Sequence, residues 1–321
     1  MKRRQFLVTL AAGALSTGAA VRAATYPNRP VRLVVPFPPG GNVDTVARII
    51  SPRLAAALGE PVVIENRGGA SGMIGSERVA RSEADGHTLL IAGSNHGINP
   101  SVYRKLPYDT LADFAPVGLI GSVPLVLVTS QDLPVRNYAE LIEYGQRNRG
   151  VLKFGITSGA ANHLATALLI KQAGINAVMV PYKGDGPTIT DLLGGHINAY
   201  IGISSLLRQY VESGRLPAMA VTSAERVPLF PTVPTLIESG LRDYVVGSWN
   251  GIFAPTGTPS ESMHALHAAL HETLRDGQVR AKLAGLGMNV VNGDQDALAS
   301  FVSSEVARWT AVVADAGIER Q

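Results

Sequence analysis

The fold class is indicated by one stretch of sequence, VRLVVPFPPGGNVDTVARII, which covers residues 31–50. Its first five residues are mostly β-branched and predict a strand, which the prolines and glycines of residues 36–41 end. From Val43 onward, apolar residues recur on one helical stripe that continues through Ile50 to Leu58. The stretch therefore predicts a strand, a tight turn and an amphipathic helix, the unit from which parallel sheets are built.

The same alternation of strand and helix continues along the rest of the chain. One group of βα units ends near residue 92, and a second group begins near residue 125. The element order predicts an α/β protein with two lobes, in which residues 24–121 and 249–321 form the first lobe and residues 122–248 the second. Beyond the first unit, we predict strands at 61–65, 87–92, 125–128, 152–156, 178–180, 199–201 and 218–221 and from 249 onward, and helices near 74–84, 138–146, 164–173, 188–193, 205–212, 260–275 and 297–316.

Residues 1–23 have the pattern of a targeting segment. The basic start Lys2-Arg3-Arg4 is followed by an uncharged stretch, and Ala23 provides the small residue after which a signal peptidase cuts. A membrane anchor is the alternative, but the stretch is shorter than the ~20 apolar residues that a span requires. The two arginines also resemble a twin-arginine signal, and the sequence does not separate that route from ordinary secretion. We therefore expect export to the periplasm with cleavage after Ala23.

Charge and cysteine content exclude several classes of protein. The full chain has a formal net charge of +3, and the targeting segment carries four of the basic residues, so the remainder carries −1. A chain without excess positive charge is not expected to bind nucleic acid or anionic lipid. The absence of cysteine excludes disulfides, a thiolate nucleophile and a lipidated N-terminal cysteine.

The turn after the first strand has the chemistry of an anion-binding loop. Ligands collect where parallel strands end and helices begin, because the first amides of a helix have no partner within it. Gly40 and Gly41 allow the backbone to approach a ligand closely, and Asn42 opens the helix. Asp44, in the first helical turn, has two interpretations: it binds a ligand amine or hydroxyl, or it caps the helix and complements its dipole. A tight turn without a ligand is the alternative for the whole loop.

Three further loops follow predicted strands and carry polar groups. The stretch Thr157-Ser158-Gly159-Ala160 again leads from a strand into a helix. His163, one turn further on, either reaches the same pocket or packs within the helix. The other two loops are Ser94-Asn95-His96-Gly97 and Tyr182-Lys183-Gly184-Asp185-Gly186. Lys183 can pair with an anion, although a loop lysine is usually solvated.

The sequence contains no motif of a common catalytic class. We find no G-x-S-x-G elbow, no G-x-x-x-x-G-K-[ST] loop, no G-x-G-x-x-G fingerprint and no H-E-x-x-H. A periplasmic hydrolase that uses Ser158 and His163 is the enzymatic alternative, but residues five apart on a helix diverge by about 140°. His264, His267 and His271 share one helical face at a spacing that can chelate a metal, yet they border an apolar stripe, which favours an exposed helix flank. A binding protein is therefore favoured over an enzyme.

Motifs along the whole chain resemble those of one family. Residues 36–48 resemble the P-[FY]-x-P-G-G-x-x-D-x-x-A-R motif of the tripartite tricarboxylate transporter receptors, also called the Bug family. Further agreement, in the order that the family shows, lies in residues 65–75, 85–90, 180–184, 191–195, 249–259 and 308–318. The departures at Gly68, Thr188 and His196 lie outside the two glycine-rich loops.

The resemblance implies a type II periplasmic binding protein fold, with two α/β lobes, a hinge and a ligand cleft between the lobes. It implies capture of a small di- or tricarboxylate or related organic acid and its delivery to a membrane permease. It implies neither catalysis nor a cofactor or metal, and we expect a monomer. A receptor that feeds a sensor kinase is an alternative that the sequence does not separate from transport. The ligand-binding residues predicted on this basis are Phe37, Pro39, Gly40, Gly41, Asp44, Ser94, Asn95, Thr157, Ser158, Ala160, His163, Tyr182 and Ser204.

Overall fold

The strand-turn-helix stretch at the start forms as its pattern predicts, in a computed structural model that describes residues 26–321. Strand β1 (Val31–Val35) is almost wholly buried, as expected of a strand inside a parallel sheet. Helix α1 (Asn42–Leu58) buries its apolar stripe against that sheet. The other strands in the described part are β2 (Val62–Asn66), β3 (Thr88–Gly93), β4 (Phe114–Thr129), β5 (Lys153–Thr157), β6 (Val178–Tyr182), β7 (Ala199–Ile203), β8 (Ala218–Val221), β9 (Gly247–Pro255) and β10 (Asn289–Gly293). The other α-helices there are α2 (Met73–Ala80), α3 (Asn95–Val102), α4 (Tyr138–Arg147), α5 (Ala161–Ala173), α6 (Asp185–Leu193), α7 (Ser204–Glu212), α8 (Ser260–Arg275), α9 (Gly277–Gly285) and α10 (Gln295–Asp315).

Two sheets share the long strand β4, and each sheet belongs to one lobe. The first has the order β2-β1-β3-β9-β4, with β10 on the opposite edge of β4. The second has the order β6-β5-β7-β4, with β8 on the opposite edge. In both sheets three parallel strands are followed by an antiparallel one. The predicted α/β fold of two lobes is therefore confirmed, and the shared strand makes β4 the connection on which the lobes meet.

The register of β4 brings the carboxyl ends of both sets of parallel strands together. In the first lobe, Gly93 at the end of β3 pairs with Asn250 of β9, which in turn pairs with Gly121 of β4. In the second lobe, Ile203 at the end of β7 pairs with Leu125 of β4. Gly121 and Leu125 are about 13 Å apart along an extended strand. The loops that follow the parallel strands of both lobes therefore border one junction.

Apolar clusters cover both faces of each sheet. In the first lobe, α1, α8 and α9 pack around Ile50 on one face, while α2 and α10 pack around Phe253 on the other. In the second lobe, α4 and α5 pack around Leu164, and α6 and α7 pack around Tyr200. Each lobe thus has its own core on both sides of its sheet, which fixes the strand ends that carry the loops.

Two helices connect the lobes in addition to the strands. Ile98 of α3 and Trp309 of α10 are buried in the same cluster as Leu164 of the second lobe. An ion pair of 2.5 Å between Lys171 of α5 and Asp315 of α10 lies on the outside of this contact. Within residues 26–321, we found no helix that combines the length and the apolar character of a membrane span.

Most predicted elements are confirmed to within a few residues, and the exceptions have identifiable causes. The prediction missed residues 114–124 of β4, because Pro116 and Pro124 interrupt the pattern of the strand. The register shifts beside Pro116, where a bulge tolerates proline. The prediction also missed α3, which contains Pro100, and the short polar strand β10 with the helix α9 before it. The predicted targeting segment, residues 1–23, lies outside the described residues.

Candidate ligand-binding site

Helices that begin at the junction of the lobes leave their first amides uncapped. Helix α1 starts after Gly41 and α5 after Ala160, and neither cap residue makes a side-chain hydrogen bond to its helix. By contrast, α4, α9 and α10 are capped by the side chains of Asn137, Asp276 and Asp294. Uncapped amides at a helix N-terminus attract anions, because the N–H groups and the helix dipole act together.

The first of these loops, loop 1 (residues 36–41), is held by a side chain of the helix that follows it. The carboxylate of Asp44 accepts a hydrogen bond from the Gly40 amide at 2.9 Å and two from the guanidinium of Arg48 at 2.9 and 3.0 Å. The hydrogen bond from Arg48, together with the Gly40 amide and Asn66, lowers the pKa of Asp44 to about 2. Because Asp44 is buried and each of its oxygens accepts two hydrogen bonds, the geometry favours a role in holding loop 1 over direct ligand contact.

Two asparagines without a predicted role, Asn66 and Asn250, hold loop 1 and the start of α1 in place. Asn66, at the end of β2, donates to the Phe37 carbonyl at 3.1 Å and to the Asp44 carboxylate at 2.9 Å. Asn42 donates at 3.1 Å to Asn250, a fully buried residue of β9. Loop 1 is thus tied to the neighbouring strand β2 and to the strand by which the chain returns from the second lobe.

The second loop, loop 2 (residues 157–160), is held in the same manner by α5. The Gly159 amide donates to Nδ1 of His163 at 3.2 Å, and the Thr157 amide donates to the side chain of Asn162 at 3.2 Å. Burial lowers the pKa of His163, which favours the neutral imidazole that this contact requires. Since His163 bonds Gly159, the geometry gives no support to a nucleophile–base pair of Ser158 and His163.

The remaining predicted residues differ in how free they are to meet a ligand. The hydroxyl of Ser94 bridges the Gly247 carbonyl and the Trp249 amide of β9, and the hydroxyl of Tyr182 donates to Asp191 at 2.7 Å. The Ser204 hydroxyl is buried and, among the described residues, has no partner. Pro39, Gly40, Gly41, Ser158 and Lys183 are exposed, whereas Phe37, Asn95, Thr157, Ala160 and His163 are half-buried.

A family model for the tripartite tricarboxylate transporter receptors matches residues 46–318, most of the chain. The chain belongs to this receptor family. A relative, the protein BugT of Bordetella pertussis, is 38% identical over 302 residues, which are 93% of either chain.

Solved structures of similar receptors support the same assignment. The periplasmic binding protein BugD is 37% identical with a TM-score of 0.79 and covers 92% of this chain and all of its own. A Rhodopseudomonas palustris protein with adipate is 36% identical with a TM-score of 0.82, again over 92% of this chain and 100% of its own. MatC of the same organism, with bound malate, is 34% identical with a TM-score of 0.77 over 90% of this chain and 100% of its own. The family and these neighbours are solute-binding receptors of the periplasm.

A cavity of about 1510 Å³ in the receptor lies elsewhere than at the predicted residues. It is bordered by β4, α7, β10 and α10, with Ser122, Trp249 and Arg308 among its lining residues, and none of the predicted ligand-binding residues lines it. Two ion pairs lie in its lining, Arg208 with Glu212 and Arg308 with Glu305, while Nη2 of Arg308 and the indole N–H of Trp249 are buried without a partner among the described residues. We place the candidate site at the uncapped starts of α1 and α5 and not in this cavity, because the two loops there carry most of the predicted residues and border the junction of the lobes.

The three histidines of α8 do not form a metal site. Within residues 26–321, no group of three or more His, Cys, Asp or Glu side chains is arranged to hold a metal ion. His267 instead contacts the Val117 carbonyl of β4 at 3.0 Å. This contact assigns it to the packing of α8 on the sheet of the first lobe.

Sequence reasoning missed the residues that orient the two loops from behind, namely Asn66, Asn162, Tyr200 and Asn250. Asn66 lies at the carboxyl end of β2 and Asn162 at the start of α5, where a side-chain amide can bond to the backbone of a loop, whereas Asn250 and Tyr200 lie within β9 and β7. For the two asparagines next to loops, that position is a signal that could have found them. Which partner each one bonds depends on the packing of separate strands, which a single sequence does not give.

Proposed function

We propose that this receptor captures a small organic acid, with a dicarboxylate as the preferred class, between loop 1 and loop 2 and delivers it to a membrane permease of the tripartite tricarboxylate type. The observation that carries the proposal is the register of β4, which sets the uncapped starts of α1 and α5 at one junction of the lobes. The adipate and malate held by two similar receptors are both dicarboxylates, which supports this ligand class.

The donors at the junction suffice for a carboxylate without a free arginine. Arg48 is engaged by Asp44, so the ligand is held by the amides that begin α1 and α5, together with Ser158. Each helix terminus contributes ~0.3–1 kcal/mol, up to ~2 when partly buried, and each hydrogen bond to a charged group roughly 1.5–3 kcal/mol. Four or five such contacts, reduced by the loss of ligand freedom, reach the about −8 kcal/mol of a micromolar complex.

The mechanism that we propose is closure about the shared strand. A carboxylate that contacts both loops favours the closed arrangement through its differential contacts, and the closed surface is what the permease recognises. In this proposal the first lobe comprises residues 24–121 and 249–321 and the second residues 122–248. Phe37, Pro39, Asn95, Tyr182 and Ser204 shape selectivity around the anion, while Gly40, Asp44, His163 and Thr157 hold the loops.

The proposal places the mature receptor, cleaved after Ala23, in the periplasm as a monomer without enzymatic activity or cofactor. Turnover of an ester or amide by the purified protein would favour the hydrolase alternative. A receptor that feeds a sensor kinase shares the same binding site, and transport assays with a reconstituted permease separate the two roles.

A thermal-shift screen at fixed ionic strength tests the ligand class. Adipate, malate and a tricarboxylate are compared with hexanoate and with neutral 1,6-hexanediol. We expect stabilisation of about 2.7 kcal/mol at a hundredfold excess of a bound acid over its dissociation constant, and none with the diol. Stabilisation by none of the carboxylates, or by the diol as strongly as by adipate, would contradict the proposed function.

A further inference from the structure

A chain of hydrogen bonds that is buried at its centre lies behind loop 2 and connects four elements of the second lobe, β5, α5, β7 and α6. The Thr157 amide, at the end of β5, donates to Oδ1 of Asn162 at 3.2 Å. Nδ2 of Asn162 donates to the Tyr200 hydroxyl at 3.3 Å, and this hydroxyl in turn donates to Asp185 at the start of α6. We propose that Asp185, Tyr200 and Asn162 form a relay that positions loop 2 and thereby sets the affinity of the receptor for its ligand.

The relay has only one arrangement of its protons. The carboxylate of Asp185 can only accept, so the single proton of the Tyr200 hydroxyl is given to it. The hydroxyl oxygen is then an acceptor for Nδ2 of Asn162, which leaves Oδ1 of that amide directed at the Thr157 N–H. The direction of the backbone at the start of loop 2 is therefore set by a hydrogen-bond acceptor located on α6.

Burial makes the relay difficult to replace by water. Tyr200 is 1% exposed and Asn162 is 7% exposed. Burial, and to a lesser degree the neighbouring Asp185 carboxylate, raises the pKa of Tyr200, which keeps the hydroxyl protonated as the relay requires. A buried donor or acceptor that loses its partner remains unpaired, so removal of one member affects the next.

The surrounding sequence makes room for the Tyr200 ring. A Cβ atom at Gly202 would overlap that ring, so a residue larger than glycine is excluded two positions further along β7. The Thr188 hydroxyl donates to the Gly184 carbonyl at 2.8 Å and fixes the first turn of α6, from which Asp185 reaches the ring. The relay thus depends on the relative positions of β5, α5, β7 and α6, and Asp185, Tyr200 and Asn162 are not among the predicted ligand-binding residues.

The proposal rests on the proposed function, and Tyr200→Phe tests it. This substitution keeps the ring and removes the hydroxyl, so we expect the dissociation constant for the better ligand of malate and adipate to rise about tenfold. Tyr244→Phe is the matched control. The buried hydroxyl of Tyr244 donates to the Ala165 carbonyl of α5, the helix that also carries Asn162, but among the described residues it makes no hydrogen bond to loop 2. We expect Tyr244→Phe to lower the stability to a similar extent and to leave the affinity unchanged.

Asp185 variants and amide exchange separate positioning from general stability. Asp185→Asn still accepts the Tyr200 proton and should keep nearly wild-type affinity, whereas Asp185→Ala should behave like Tyr200→Phe. Without any ligand, hydrogen exchange of the Thr157 amide should be about tenfold faster in Tyr200→Phe and unchanged in Tyr244→Phe.

The outcomes of these experiments test the relay and the proposed function separately. An unchanged Thr157 exchange rate, or unchanged affinity despite faster exchange, would overturn the relay. If the wild-type protein binds neither acid, the proposed function fails, and the exchange rates alone then decide whether the relay holds loop 2.

Discussion

Loop 1 and loop 2 are built on the same local plan with different chemistry. In each loop a glycine precedes the helix cap and has a positive φ, +88° at Gly40 and +73° at Gly159. The amide of this glycine donates a hydrogen bond to the side chain of the third residue of the following helix. That residue is Asp44 after loop 1 and His163 after loop 2. In both loops the side chain accepts a hydrogen bond from the glycine amide and leaves the first amides of the helix available to a ligand.

The acceptor is what differs between the two loops. In loop 1 it is a buried carboxylate that also pairs with Arg48 and Asn66. In loop 2 it is a neutral imidazole without a charged partner among its described hydrogen bonds. A charged acceptor with several donors forms stronger hydrogen bonds than a neutral one. We infer that loop 1 is the rigid half of the site and loop 2 the adjustable half.

The largest difference between the loops should appear when each acceptor is removed. Asp44→Ala leaves Arg48 and Asn66 without their partner, and we expect it to lower the free energy of unfolding by about 2 kcal/mol, less than for a fully buried pair because Arg48 is partly exposed. His163→Ala removes one neutral hydrogen bond and should lower it by about 1 kcal/mol. Urea denaturation measures both.

Asp296→Ala is the control for the loss of a negative charge from the first turn of a helix, because Asp296 is an exposed carboxylate in the first turn of α10. We expect its effect to stay within about 0.5 kcal/mol. An effect of His163→Ala equal to or larger than that of Asp44→Ala would reverse the assignment of the rigid half.

Acidification should weaken the two loops in different pH ranges. The pKa of Asp44 is lowered to about 2, so its contribution is present above the unfolded value of about 3.9 and is lost as the pH falls towards 2. The pKa of His163 is also lowered, so the unfolded state binds the proton first and its contribution declines as the pH falls below about 6.5.

Unfolding of the wild type, Asp44→Asn and His163→Gln from pH 8 to pH 2 measures this difference. The gap between wild type and His163→Gln should narrow first, and the gap between wild type and Asp44→Asn only below about pH 4. A gap for Asp44→Asn that closes near neutral pH would show that the carboxylate is not the acceptor.

The smallest expected effect concerns the two adjacent glycines of loop 1. Gly40 has a φ of +88°, so Gly40→Ala should lower the free energy of unfolding by about 1 kcal/mol. Gly41 has a φ of −76° and its nearest neighbour to an added Cβ is the Pro38 carbonyl at 3.8 Å, so Gly41→Ala should stay within about 0.5 kcal/mol. Equal effects in thermal denaturation would indicate that loop 1 has a different backbone conformation in solution.

The sequence predicted the parts of the fold that depend on local pattern. The β-branched run at Val31–Val35 and the apolar stripe of α1 identify the first βα unit, and α8 was predicted with its observed bounds. The division into two βα groups indicated two lobes. Three of the four loops were identified correctly as strand-to-helix connections, because the change of periodicity and the glycines mark them. The loop predicted from Ser94 to Gly97 was wrong in its extent, because α3 already begins at Asn95.

What the sequence could not predict depends on contacts between distant segments. The sequence left open whether Asp44 meets a ligand or caps its helix; in the structure it instead holds loop 1, and one of its partners, Asn66, lies at the end of another strand. Asn250 meets Asn42 across 208 residues of chain, and Tyr200 meets Asn162 across 38. No local pattern records such pairs, because they are created when strands from different parts of the chain become neighbours.

The most direct test of the shared site is titration calorimetry of the double variant Gly41→Val, Ser158→Ala with the dicarboxylate that stabilises the wild type. Valine at position 41 covers the first amides of α1, its backbone conformation is compatible with a side chain, and loss of the Ser158 hydroxyl removes a donor from loop 2. We predict no detectable binding with a melting temperature within a few degrees of the wild type. A folded double variant that binds the acid with unchanged affinity would contradict the assignment of the two loops to one ligand.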